Sequence, residues 1–237
     1  MNSTSLLHRQ FGTAAEMTKK VNAVLHCNDW TGQTYSYSVY DYASKILAEP
    51  ESSEYKSSAQ LIKAMLNYGG YAQTYFNEKT DDLANKGLYN KTNDPVLTTN
   101  TTVSKDYNYA VFNNNIGVSF IGGSLVLNSG TDLKLYYSMD DKNVAHNINV
   151  SVNGQNVAPE YDGNIMCVRV PDISISSLGD TYNVKISANG KEVNQKYSAM
   201  TYMYKALNSQ NSNTKLNNVV KALYLYNEAA KQYSMGN

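Results

Sequence analysis

The sequence has few charges and no excess of either sign. Charged residues make up 17% of the 237 positions, and 20 basic side chains balance 20 acidic ones. Binding to nucleic acid through phosphates requires a basic excess, and so does charge-driven binding to anionic membranes. No apolar run reaches the roughly 18 residues that a membrane-spanning helix needs. The composition argues against these three classes and indicates a globular chain with one large domain or two small ones.

Motifs of catalysis and metal binding are also absent from the sequence. The chain has 3 His and 2 Cys, and it contains no HExxH, CxxC, GxSxG or phosphate-loop pattern. Asp140 and Asp141 are adjacent, so on a strand they would point to opposite faces and make poor partners for acid–base catalysis. Cys27 and Cys167 could form one disulfide, but their apolar surroundings are more typical of buried free thiols. We therefore expect no enzyme activity, no metal site and no cofactor.

Tyrosine is the one abundant aromatic residue. There are 21 Tyr against 4 Phe and 1 Trp, and much of the remaining polarity comes from Asn, Ser and Thr. A tyrosine ring is an apolar plate with a polar tip, so such a surface suits neutral, hydroxyl-rich ligands such as glycans. Compositional drift in an AT-rich genome would enrich Tyr and Asn as well, and composition alone leaves both explanations open.

The N-terminal part is predicted to be a hairpin followed by helices. Alternating apolar residues predict strands over 17–27 and 33–39, and the turn-forming residues between them place the single Trp at the hairpin tip. The pattern then changes to a helical period, which predicts helices over 40–47, 59–76 and 80–86. Gly69 and Gly70 lie inside the second helix, where close approach of another element would explain them.

A β-rich region follows a polar connection over 88–115. Residues 116–198 contain about seven short candidate strands separated by turn signals, which suggests an immunoglobulin-like sandwich; these strands are 116–121, 123–128, 132–139, 146–153, 164–170, 181–188 and 191–198. Helices are predicted over 200–207 and 214–235. The predicted fold class is α+β, an immunoglobulin-like antiparallel β-sandwich flanked by a duplicated helix-pair bundle. Its parts are 17–87, 88–115, 116–198 and 199–235.

The terminal helices repeat the early ones. With a shift of 158 positions Tyr68 matches Tyr226, and with a shift of 160 Lys45 matches Lys205. One amphipathic helix pair cannot bury its own apolar stripe, so we expect the two pairs to pack on each other. Ala72 and the two glycines would let the helices approach closely. The stripe tyrosines, including Tyr68, Tyr75, Tyr226 and Tyr233, are predicted to be core residues.

Several segments resemble a known type of module. The stretches YSVYDYASKIL, KAMLNYGGYAQTYF, FIGGSLVLNSGTDLKLYY and KALYLYNEAAKQY are similar to a recurrent module of large cell-surface and secreted proteins of gut Firmicutes. The resemblance covers about residues 17–235. It implies an extracellular location and a larger parent protein. The functional setting it suggests is the starch-adherence proteins of the amylosome, which are non-catalytic glucan binders.

The candidate ligand-binding residues come from our own interpretation of the sequence. Trp30 is the best candidate for stacking on a sugar ring, although it could instead fold back onto the helices. The residues proposed beside it on the hairpin are Asn28, Asp29, Gln33 and Tyr35. A second platform would use Tyr107 and Tyr109, and a third would use Tyr161 and Asp162.

Two functions remain in competition at this point. The first is a monomeric, non-catalytic carbohydrate-binding module for starch or malto-oligosaccharides, with scaffold proteins as partners of neighbouring domains. The second is a structural spacer or protein-interaction module without glycan binding. A large exposed apolar patch would favour the second.

Overall fold

The computed structural model describes most of the chain in ten segments: 13–27, 30–49, 57–79, 82–88, 101–111, 116–127, 130–141, 148–188, 190–210 and 213–236. Within these segments the fold is α+β, with four α-helices and three antiparallel sheets. The predicted α+β class is therefore confirmed.

The N-terminal elements are a short 3-10 helix, a hairpin and two helices. They are the 3-10 helix Ala14–Glu16, β1 Val21–Cys27, β2 Trp30–Tyr37, α1 Val39–Ala48 and α2 Ala59–Phe76. Ser38 is the N-cap of α1, and its side chain accepts a hydrogen bond from the Asp41 N–H at 3.0 Å. Asp41 accepts in return from the Ser38 N–H at 2.9 Å. This reciprocal cap fixes the point where the extended strand becomes a helix.

The predicted bounds of α2 are confirmed, whereas two neighbouring predictions need correction. The second strand starts at Trp30, so this residue lies in the ladder opposite Cys27 and not in a longer loop. Residues 84–87 form a turn, so the described part of the helix predicted over 80–86 is not helical, and residues 80 and 81 lie outside the described residues. The reason is tertiary, because the Ala84 N–H donates to the buried side chain of Gln73 at 2.8 Å. This bond ties the segment to α2.

Two four-stranded sheets, a second helix pair and the 3-10 helices Lys105–Tyr107 and Ile175–Ser177 follow in the described chain. Their elements are β3 Val118–Leu127, β4 Thr131–Met139, β5 Asn149–Val152, β6 Gln155–Val157, β7 Glu160–Asp162, β8 Ile165–Ile173, β9 Tyr182–Ala188, β10 Lys191–Tyr197, α3 Ala199–Leu207 and α4 Thr214–Gly236. The strand orders are β3-β4-β8-β7 and β10-β9-β5-β6, all antiparallel. The hairpin β1–β2 forms a two-stranded sheet of its own.

The strand prediction is wrong at two places. The segments 116–121 and 123–128 are one strand, β3, with an irregularity between Phe120 and Gly122. Gly123 does not end a strand there. It gives room to the Tyr197 ring, because a Cβ atom at this position would lie 2.9 Å from the Tyr197 hydroxyl. The short strands β6 and β7 were not predicted, since strands of three residues carry too little alternation to be seen.

Side chains from both four-stranded sheets belong to one hydrophobic core. Its strand residues include Leu133, Leu135, Tyr137, Val150, Met166, Val168, Val170, Val184, Ile186, Val193 and Tyr197. Helices α2 and α4 pack on each other as predicted, and the rings of Tyr68 and Tyr226 stack with centroids 6.0 Å apart. Tyr233 is an exception among the predicted core tyrosines, because it is exposed.

The two central glycines of α2 make room for segments other than α4. A Cβ atom at Gly69 would lie 2.5 Å from the Met17 sulfur. At Gly70 it would lie 2.2 Å from the Asn85 side chain. The predicted close approach to these glycines is thus confirmed. The segments that approach α2 there are the N-terminal 3-10 helix with its following turn, and residues 82–88.

The same order of elements occurs twice in the described chain. A 3-10 helix, a hairpin, a short helix and a long helix follow each other over 14–76, here called the N-terminal unit, and over 175–236, the C-terminal unit. Corresponding backbone bonds recur as well. Tyr40 N–H donates to Met17 O at 2.9 Å, and Met200 N–H donates to Leu178 O at 3.0 Å. The units therefore agree in local geometry as well as in element order.

Candidate functional site

The predicted hairpin site is only partly described. Asn28 and Asp29 lie outside the described residues, and so does the side chain of Trp30. Gln33 and Tyr35 lie on β2 and are exposed. Tyr35 is 63% exposed, which leaves its ring accessible to a ligand.

The second predicted platform, Tyr107 and Tyr109, is half-buried and does not form an open stacking surface. Tyr107 ends the 3-10 helix Lys105–Tyr107, is half-buried, and packs against the hydrophobic core. A Cβ atom at Gly179 would lie 2.7 Å from its hydroxyl. The half-buried Tyr109 exchanges a 2.9 Å hydrogen bond with the Thr181 hydroxyl. These contacts hold both rings against the segment that leads into β9.

The third predicted pair lies on an edge strand. Tyr161 and Asp162 belong to β7, where they pair with Met166 and Ile165 of β8. Tyr161 is 44% exposed, and its partial burial raises the pKa of its hydroxyl. The three predicted sets thus lie on three different elements: hairpin β1–β2, the 105–107 helix and strand β7.

One surface of the hairpin was not singled out by sequence reasoning. Val21 lies opposite Tyr37 and Ala23 lies opposite Tyr35, so these four side chains share one face of the hairpin. We call them the apolar hairpin face. All four are exposed, with Val21 at 42% and Tyr37 at 38%. The opposite face carries Asn22, Thr34 and Ser36, along with Val24.

The apolar hairpin face continues into a groove at the start of α1. The groove has a volume of about 530 Å³. Its lining residues are Glu16, Lys19, Val21, Ala23, Tyr37, Ser38, Val39 and Tyr42. Most of these contribute apolar atoms, and Tyr42 is itself exposed. An aliphatic and aromatic surface of this kind lies open to solvent next to the hairpin.

Charges border the groove without filling it. Lys45 Nζ lies 4.7 Å from the centroid of the Tyr37 ring, and its interaction with the Tyr37 hydroxyl raises the lysine pKa. Glu16 and Lys19 form an exposed ion pair at 2.9 Å. The hydrogen bond from Lys19, followed by one from the Thr13 N–H, lowers the pKa of Glu16. The rim therefore combines both signs of charge.

The C-terminal unit holds the corresponding residues in a different environment. Tyr197 is 1% exposed, and its ring centroid lies 5.5 Å from that of Phe120 on β3. Lys205 Nζ lies 5.4 Å from the Tyr197 centroid and 5.7 Å from the Phe120 centroid. Burial lowers the pKa of Lys205. The Tyr–Lys pair thus occurs twice, once covered by a strand and once open.

A sequence signal for the apolar hairpin face did exist. Alternation along the predicted strand 33–39 puts Tyr35 and Tyr37 on one side, but alternation is equally compatible with burial and with exposure. The exposure of these side chains in the structure distinguishes the two.

The described part of the chain has a buried free thiol, but no cluster of metal-ligating side chains and no helix that could span a membrane. No group of three or more His, Cys, Asp or Glu side chains there could hold a metal ion. None of its helices is long and apolar enough to cross a membrane. Cys167 is a buried free thiol, and burial raises its pKa.

Comparison with known proteins adds no relative to this picture. No protein-family model matches the chain, and neither a curated protein nor a solved structure matches it.

Proposed function

We propose that this chain is a non-catalytic interaction module of a larger extracellular surface protein, and that it docks through the apolar hairpin face. One observation carries this proposal: Val21, Ala23, Tyr35 and Tyr37 align on one face of a hairpin and are all exposed. Apolar surface grouped in this way marks interaction sites in proteins. An isolated two-stranded hairpin is also marginally stable in water, so a docking partner would stabilise it.

The modular character has separate support. Two four-stranded antiparallel sheets share one core, as in an immunoglobulin-like sandwich, and the recurring backbone bonds of the two units favour a duplicated helix pair. We propose both as the finer description of the fold. The sequence resemblance to modules of surface proteins of gut Firmicutes supports the extracellular location.

Glycan binding is a second candidate function. The exposure of Tyr35 and Tyr161 favours it, because exposed rings stack on the CH faces of sugars. Neutral polar side chains beside such a ring can form hydrogen bonds with the sugar hydroxyl groups. Gln33 lies on β2 with Tyr35 and could supply such a group. The two tyrosines lie on different sheets, so each would form a separate and small site.

Two assays separate these functions. The first measures the fluorescence of an apolar dye, 8-anilinonaphthalene-1-sulfonate, with the purified chain. We expect Tyr37→Ser combined with Val21→Ser to reduce the signal, whereas Ser36→Ala with Asn22→Ala on the opposite face leaves it unchanged. An equal signal in both double variants would contradict the proposed docking surface.

The second assay measures depletion of the chain from solution by insoluble starch, cellulose and xylan. An interaction module predicts no more depletion than an albumin control shows. Depletion by starch alone that Tyr35→Ala or Tyr161→Ala abolishes, with an unchanged melting temperature, would establish the glycan-binding function instead.

A further inference from the structure

The two hairpins of the chain are equivalent in position but not in surroundings. Tyr37 and Tyr197 end their hairpins, Ser38 and Ser198 cap the next helix, and each pair is separated by 160 positions. Tyr42, Lys45, Tyr202 and Lys205 follow the same spacing. What covers the second hairpin therefore indicates what would fit on the first.

The second hairpin is covered at its edge and on its face. Strand β9 pairs with β10 on one side and with β5 on the other. On the second hairpin, the face that corresponds to the apolar hairpin face carries Val184, Ile186, Val193 and Tyr197. All four are buried in the common core. Among the described residues of the first hairpin, β1 pairs with β2 alone. No described strand takes the place beside β1 that β5 takes beside β9.

Strand β3 covers the part of the second hairpin that corresponds to the groove. Phe120 lies against Tyr197 and Lys205, and Gly123 makes room for the tyrosine ring. Further along, Leu125 and Leu127 line a small cavity of about 140 Å³ together with Tyr202. The equivalent Tyr42 instead lines the open groove of about 530 Å³.

We propose that hairpin β1–β2 is the closing hairpin of a second β-sandwich, supplied by a partner domain built like residues 116–173 but without its own last two strands. The partner would add a strand to the edge of β1 that faces away from β2. It would also lay an aromatic ring, in the place of Phe120, against Tyr37 and Lys45. This inference rests on the proposed docking function and names the partner. It is a case of strand addition, in which backbone bonds give affinity and side-chain pockets give specificity.

A second intact copy of the chain does not offer this surface. Its β3 is already covered by Tyr197, and its β5 is already paired with β9 and β6. The position of Lys45 over the Tyr37 ring also fits the proposed partner, because the equivalent Lys205 lies between Tyr197 and the Phe120 ring of the covering strand.

The direct test supplies the partner by fusion. Residues 101–173 are placed a second time, directly ahead of Thr13, because Ser174 precedes the C-terminal unit at the same point. Hydrogen exchange is then measured in the fusion and in the unfused chain. We expect amide protection in β1 to rise by at least about tenfold, since paired strand amides exchange only on opening. Tyr37→Asp should remove this gain, and Ser36→Asp on the opposite face should retain it.

A second experiment covers the case in which the fusion does not fold. Residues 182–197 of the full chain are replaced by residues 21–37. If the first hairpin is built to close a sandwich, this exchange variant still folds. Its urea unfolding is then cooperative, and under native conditions its β5 amides remain protected from hydrogen exchange. Protected β1 amides in the fusion, or a folded exchange variant, support the proposal. Failure of both overturns it.

The remaining outcomes show either that a second copy of the chain binds the hairpin, or that the docking surface exists without this partner. If the unfused chain sediments as a dimer and Tyr37→Asp makes it monomeric, the hairpin pairs with a second copy and the proposal is overturned. The dye assay on the unfused chain reports separately on the docking surface. A positive dye result with failed fusion and exchange experiments would retain the proposed function and reject only this partner.

Discussion

Hairpins β1–β2 and β9–β10 show that the same local pattern can produce an exposed element and a core element. Each ends in a tyrosine, leads into a serine-capped helix and places a lysine over the tyrosine ring. Their difference lies in the neighbours. The second hairpin joins β5 and faces β3, whereas the first is paired only within itself. Local sequence specifies the hairpin, and long-range contacts decide its burial.

The largest expected effect distinguishes the two equivalent tyrosines. Tyr197→Ala removes a fully buried ring and leaves a cavity, so we expect it to lower the free energy of unfolding by about 3–5 kcal/mol. Tyr37→Ala acts at an exposed position and should change it by about 0.5 kcal/mol or less. Urea denaturation of both variants measures the difference. Equal losses would show that the first hairpin is as tightly packed as the second.

A second prediction compares ion pairs in the two regions. The buried carboxylate of Asp132 accepts hydrogen bonds from the Asp172 N–H at 2.9 Å and from Arg169 Nε at 2.8 Å. We expect Asp132→Asn to cost about 2–3 kcal/mol, because hydrogen bonds to a charged group are the stronger ones. Glu16→Gln beside the first hairpin breaks an exposed pair and should cost less than about 1 kcal/mol.

The pH dependence of the same pair gives an independent check. Burial of Asp132 opposes its ionisation, but the bonds from Asp172 and Arg169 outweigh burial and lower its pKa below 3.8. A lowered folded-state pKa stabilises the fold above the unfolded pKa, and this contribution is lost as the pH falls through the folded pKa. Urea denaturation at pH 7 and pH 3 should therefore show a smaller difference between wild type and D132N at the lower pH. A constant difference would contradict the assignment.

A third prediction uses adjacent glycines as a matched pair. Gly123→Ala would bring a Cβ atom to 2.9 Å from the Tyr197 hydroxyl, whereas at Gly122 nothing lies within 4 Å. We expect the first change to lower stability by about 1–2 kcal/mol through overpacking, and the second to have little effect. Thermal unfolding of both variants is the measurement. A harmless Gly123→Ala would mean that Tyr197 can shift away from β3.

The smallest expected effect concerns the two lysines. Lys205→Met removes a cation from the rings of Tyr197 and Phe120 and should cost about 1 kcal/mol or less. Lys45→Met removes an exposed cation from a single ring and should be nearly neutral. In the fusion that carries a second sandwich, however, we expect the two changes to become similar. A persistent difference there would show that the added domain does not place a ring beside Tyr37.

Much of the helical structure was predictable from local sequence, because amphipathic periods and caps are short-range signals. The bounds of Ala59–Phe76 followed from its apolar stripe. The turn at 84–87 was not predictable, since it depends on the hydrogen bond from Ala84 to Gln73 across the fold. The single strand β3 was missed because Gly122 and Gly123 look like a break, whereas Gly123 makes room for Tyr197.

The candidate site was less predictable than the fold. Alternation placed Tyr35 and Tyr37 on one face, but which face another element covers is a property of the complete topology. Tyr109 was predicted as part of a platform in a polar connection. The structure gives it a partner on a distant segment, the Thr181 hydroxyl, which no local pattern encodes.

The buried amide of Gln73 ties the base of the first hairpin to α2. Its Nε2 donates to the Thr18 hydroxyl at 2.8 Å, and its Oε1 accepts from the Ala84 N–H at 2.8 Å. The amide donates one bond and accepts the other, so an ionised Glu or a Leu at this position would break at least one of them. Thr18 lies three residues before β1, and from Val21 onward the described hairpin side chains are almost all exposed. Gln73 therefore joins three separate segments, α2, the residues just ahead of β1 and the 82–88 turn, through a single side chain.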